Sequence, residues 1–114
     1  MRETYEIHLT ERHYSEEIYT IEQIKNLLLP VFENYNVNSA TLFGSYAKGL
    51  ACERSDVDIL VDSGLRGIRF FGLLDDVVTA LNKPVDLIDV IEVRENSEIE
   101  RDIKRTGVLI YERA

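Results

Sequence analysis

The sequence has one cysteine, two prolines, no tryptophan and no long apolar run. Each shortage excludes something. A lone thiol, Cys52, closes no internal disulfide, which suits a reducing compartment and predicts a cytoplasmic protein. Without a stretch of about 18 apolar residues, no membrane span is expected. Basic residues are also short, with 13 Lys and Arg against 21 Asp and Glu, so the net charge is −8. Direct nucleic-acid binding leaves a basic patch, and none is visible, so templated polymerisation is disfavoured. The two histidines, His8 and His13, are too few and too isolated to make a metal site. The first nineteen residues are charged throughout and do not read as a signal peptide. Repeats and low-complexity linkers are absent. What remains is 114 residues, 45% hydrophobic, enough for one domain with a modest core.

Periodicity then orders the chain. Tyr5, Ile7 and Leu9 alternate with polar residues and predict a short strand over Thr4–Leu9. Thr20 and Gln23 have capping-box spacing. Behind them Ile21, Ile24, Leu28, Val31 and Tyr35 form a helical stripe, with a kink expected at Pro30. Residues 36–39 read as a turn, Ala40–Phe43 as a strand, and Ser45–Leu50 as a short helix. A second strand is expected at Val57–Val61, a helix at Arg69–Asn82 ending before Pro84, and a third strand at Val85–Val90. A last helix over Glu95–Thr106, capped by Asn96 or Ser97, ends at Gly107, a residue suited to a C-terminal cap. An edge strand over Val108–Tyr111 follows. Helices alternating with strands predict an α/β fold with a mixed sheet flanked by helices.

The chemistry concentrates between Phe43 and Asp62, reading FGSYAKGLACERSDVDILVD. On a strand, side chains alternate between faces, so Asp56 and Asp58 point one way while Val57, Ile59 and Val61 point into a core. Two carboxylates side by side oppose each other's ionisation, a conflict that a divalent cation relieves. Mg²⁺ takes a few carboxylate oxygens together with water and phosphates. Gly44 allows close backbone approach, and Ser45 can open a helix whose first N–H groups suit a phosphate. A phosphate cradle facing paired carboxylates is what metal-assisted phosphoryl transfer needs. A lone Asp-x-Asp is more often a solvated strand end, and a lone Gly-Ser more often only a turn; the combination carries the reading. A phosphate loop of the Walker type fails because Leu50 stands where Lys is required. An EF-hand fails because the alternating oxygen ligands do not end in a suitably placed Glu. On the third strand Asp86 shares a face with Ile88 and Val90, and Asp89 points the other way. Tyr46 is expected to pack rather than stack on a base.

With Leu42–Gly49, Ser55–Val61, Lys83–Ile88 and the tail Ile103–Tyr111, the sequence resembles the minimal nucleotidyltransferases. These are small members of the polymerase-β-like superfamily that include MntA-type antitoxins. The match runs from Thr20 to Glu112, leaving residues 1–19 as an N-terminal extension and 20–114 as the nucleotidyltransferase domain. One departure is Lys48, where the family commonly has Arg; charge is kept and bidentate geometry is lost.

The resemblance implies a nucleotidyltransferase fold in which Asp56, Asp58 and Asp86 hold two Mg²⁺ ions. It implies that Asp86 takes up the proton, that Gly44 and Ser45 bind the phosphates of ATP, and that Lys48 adds charge there. It further implies an antitoxin that transfers AMP to a tyrosine hydroxyl of a small all-α HEPN-type toxin, in a homo- or hetero-oligomer. An acidic surface suits a basic partner. A binding-only antitoxin and a small-molecule nucleotidyltransferase are the alternatives. These 114 residues are expected to leave no room for the acceptor domain that larger relatives carry.

Overall fold

The computed structural model describes residues 13–114. The strand expected at Thr4–Leu9 lies outside the described residues, as does most of the extension. Helix α1 spans Ile21–Asn34 behind the expected capping box. The Gln23 N–H donates to Thr20 Oγ1 at 3.0 Å and the Thr20 N–H to Gln23 Oε1 at 2.8 Å. The helix continues through Pro30 and buries Ile24, Leu28 and Phe32. Its buried stripe is therefore centred one residue beyond the expected Val31, which packs beside Tyr35 at the margin of the core.

Strand β1 (Ser39–Phe43) leads directly into helix α2 (Gly44–Lys48). Strand β2 is Val57–Asp62, helix α3 Ile68–Leu81 and strand β3 Val85–Asp89. A single 3-10 turn, Val90–Glu92, replaces the expected end of the third strand. Asp89 caps it: its carboxylate accepts the Ile91 N–H while Glu92 accepts the Asp89 N–H. Helix α4 begins at Glu98, not Glu95, because Asn96 adopts a positive φ of 63° and Ser97 is the cap. Strand β4 is Val108–Glu112. Gly107 is the C-terminal cap of α4, as expected, with an extended backbone at φ of −64°. A Cβ there would lie 2.5 Å from the Ile103 carbonyl oxygen and 3.1 Å from Thr41 Cγ2. The glycine is needed for close approach of the chain to β1.

The sheet order is β3-β2-β1-β4, with β1 antiparallel to β2 and β4, and β2 parallel to β3. On one face Val57, Ile59 and Val61 are fully buried and join the core made by Ile24, Leu28, Leu73, Val77 and Leu81 of α1 and α3. Removing such side chains from water is the main force holding this layer, roughly 1.5–3 kcal/mol for each large aliphatic. On the other face α2 and α4 lie against β1 and each other. Asp58, Leu60 and Ile88 there are only partly covered, and Asp86 is exposed. Residues ahead of α1 are tied to the end of α3: the Ser15 N–H donates to the Asn82 carbonyl and the Tyr19 hydroxyl to that of Leu81.

Candidate active site

The register of the sheet builds the site. Phe43 pairs with Asp58 across β1 and β2, so Gly44, the next residue, stands beside the Asp58 carboxylate. Across the parallel pair Asp58 is the partner of Asp86. The neighbouring strands assumed from the sequence are thus present, and two of the three candidate carboxylates share a register position. Asp56 precedes β2 in an exposed loop.

Gly44 has φ of +70°, which side chains rarely adopt. A Cβ at Gly44 would overlap the Asp58 carboxyl group, whose carboxyl carbon would be 3.0 Å away. The glycine is therefore required first by Asp58. A β-branched side chain there would displace Asp58.

Asp58 is half-buried, and its pKa is pushed from 3.8 up to about 6. Desolvation is the largest cause, followed by repulsion from Asp86, Asp56 and Asp102, with Lys48 opposing. The three candidate carboxylates thus share one electrostatic neighbourhood. They are not a closed cage, since among the described residues no three His, Cys, Asp or Glu side chains converge tightly enough to grip an ion. An open set with a deficit of positive charge fits Mg²⁺ arriving with a nucleotide, because that ion keeps waters and phosphates among its ligands.

Ser45 is not the helix cap. It lies inside α2, and the capping position is Phe43, whose side chain makes no cap hydrogen bond. A carboxylate from α4 stands at this end of the site: Asp102 forms an ion pair with Lys48 at 2.8 Å. Lys48 holds Asp102 below the ordinary carboxylate range, with help from Arg105 and Gly44. Lys48 is therefore engaged by a side chain that the sequence did not single out. Residues so distant in the chain show no local spacing, so the sequence pattern carries no signal that joins them. Tyr46 is buried, as expected for packing, and His13 is exposed.

Asp89 does point away from Asp86, but it is 5% exposed. Both the backbone and the hydroxyl of Ser63 donate to its Oδ2. Its work is to join the end of β2 to the turn after β3. Lys83 is wholly buried, with its ammonium donating to the Glu53 carbonyl at 3.2 Å and lying 5.8 Å from the Tyr19 ring centre. It ties the start of β3 to the loop that carries Asp56.

A glycine at positive φ thus stands against the Asp58 carboxylate, with Asp86 at the same register one parallel strand away. Residues 22–114 match the family model described as Polymerase beta, Nucleotidyltransferase. The chain belongs to this family. Its relatives in Methanocaldococcus jannaschii include one named "Putative protein adenylyltransferase MJ1215", 41% identical over 75 residues, or 60% of this chain and 87% of that protein. Another, "Putative protein adenylyltransferase MJ0126", is 38% identical over 101 residues, covering 81% of this chain and 97% of the relative. Among solved structures, a toxin-antitoxin complex with AMP-PNP superposes with a TM-score of 0.65 at 24% identity, covering 78% of this chain and 73% of that one. A complex of tri-AMPylated Shewanella oneidensis HEPN toxin with its MNT antitoxin gives a TM-score of 0.60 at 21% identity, covering 82% and 74%. At those identities the two structures establish the fold. No helix of the described residues is long and apolar enough to cross a membrane.

Proposed function

We propose that this nucleotidyltransferase moves AMP from ATP to a tyrosine hydroxyl of a partner protein, and that the partner is a small HEPN-type toxin which the chain thereby neutralises. The observation that carries the reading is Asp58, crowded by Asp86 and Asp56 and facing Gly44. A solvated strand end would not keep a half-buried carboxylate in such an unfavourable field. Relatives named as protein adenylyltransferases support a protein acceptor, and neighbours captured with HEPN toxins support its class.

Asp56, Asp58 and Asp86 are the residues that would hold Mg²⁺, which supplies charge neutralisation for the triphosphate and acidifies the acceptor hydroxyl. Gly44, Ser45 and Lys48 orient the phosphates. The acceptor oxygen attacks the α-phosphorus; the bond from that phosphorus to the bridging oxygen breaks, and pyrophosphate leaves. The hydroxyl proton passes to the exposed Asp86 carboxylate. The cytoplasm, where ATP and reduced Cys52 coexist, is the proposed setting.

The test is incubation with ATP, Mg²⁺ and a candidate HEPN protein, read by intact mass. A gain of one or more adenylyl groups on the partner supports the proposal. A gain on an added aminoglycoside would make the chain a small-molecule enzyme. Stable binding with no gain on any component would make it a contact antitoxin.

A further inference from the structure

One group read above as a phosphate ligand, Lys48, is already paired with an anion of the protein itself. We propose that Asp102 sets the affinity of the site for nucleotide: its carboxylate fills the place of a phosphate at Lys48, and an incoming triphosphate takes that place from it. The inference rests on the reading of Lys48 as a phosphate ligand. Carboxylate and phosphate oxygens compete for the same charged and backbone donors. At 2.8 Å the Lys48–Asp102 contact is a fully formed ion pair, so it must open or be shared before Lys48 turns to a ligand.

Three features make the exchange feasible. Asp102 has a second cation in reach, Arg105 on the same helix at 3.8 Å, so the carboxylate is not left unpaired on release. No residue of α4 is buried, so a shift of this helix disturbs little core. Asp102 also repels Asp58; a triphosphate arriving with its cation would relieve the crowding that a third protein carboxylate adds. Such an internal anion holds Lys48 in place while it waits, and it lowers the affinity for any phosphate that arrives without enough binding energy to displace it.

The experiment is an equilibrium titration of the full chain with ATP, and separately with adenosine, in Mg²⁺. Asp102→Asn keeps the shape and removes the anion; Asp102→Ser is the second variant if the first melts early. Glu98→Gln removes the same charge one turn away on the same helix, where the side chain is exposed. ATP should bind Asp102→Asn roughly two- to fivefold more tightly, the range that a partly exposed ion pair supports. Adenosine should be unaffected, Glu98→Gln should change little, and the gain should vanish in a Lys48→Met background. Weaker ATP binding by both Asp102 variants would overturn the proposal and make Asp102 a support for Lys48. An equal gain from Glu98→Gln, or a gain for adenosine, would reduce it to a general field effect. If Lys48→Met alone leaves ATP affinity unchanged, the phosphate reading itself fails, and the competition with it.

Discussion

Replacing Asp58 by asparagine keeps the shape of the side chain and deletes a charge that the fold opposes. The folded protein holds Asp58 near 6 against an ordinary 3.8. The folded state therefore binds this proton more tightly than the unfolded chain, and stability falls as pH rises from about 4 through about 6. Roughly two units at about 1.4 kcal/mol each amount to about 3 kcal/mol. The side chain is only half-buried, and solvent screening brings the expected penalty to about 1–2 kcal/mol. For a domain of this size that is a Tm higher by roughly 5–10 °C for Asp58→Asn at pH 7.5 in EDTA. At pH 4 both proteins carry a neutral side chain and the two melts should converge. Mg²⁺ with ATP should raise the wild-type Tm by mass action and the variant's much less, and transfer should be lost. Melts of both proteins between pH 4 and 8 decide the matter. An offset that does not change with pH, or a variant that melts lower at pH 7.5, would refute the argument from crowded carboxylates.

Gly44→Ala should lose about 1–3 kcal/mol of stability, through backbone strain at positive φ and displacement of Asp58, and should abolish transfer; a denaturant midpoint and an activity assay check both. Asp86→Asn should abolish transfer with the melting temperature unchanged or slightly raised, since the side chain is exposed. Asp89→Asn should melt lower, by about 1–3 kcal/mol, because the donors of Ser63 and Ile91 lose a charged acceptor, yet keep transfer at temperatures well below its midpoint. A fully inactive, stably folded Asp89→Asn would mean that the two faces of β3 had been exchanged.

How far the sequence revealed this site depended on range. Alternation along β2 and β3 placed Asp58 apart from Ile59 and Asp86 apart from Asp89, because strand period is a local property. The capping box at Thr20 was legible for the same reason. Local signals failed where an interaction joined distant segments. Asp102 sits in a surface helix whose pattern says only that it is amphipathic, and its value comes from meeting Lys48 in space. Asp89 was placed only on the face opposite Asp86, because strand period gives the direction of a side chain and not what it bonds; its partner is Ser63. Gly44 read as making room for a ligand, and the neighbour that needs the room first is Asp58. The boundary of α4 shifted because Asn96 takes a left-handed conformation, which the pattern of apolar residues does not encode.

The position of β4 has a kinetic consequence. Strands β1, β2 and β3 follow one another along the chain and lie side by side, but β4 returns from the far end to pair Tyr111 with Ala40. Such a long-range contact is rewarded only after the chain between has been ordered, so it forms slowly relative to the rest. Helix α4 is joined to β4 through Gly107 and arrives with it. The contacts that bring Gly44 to Asp58 and Asp58 to Asp86 join nearer parts of the chain than the contact between Lys48 and Asp102 does, so the last carries the larger loop-closure cost.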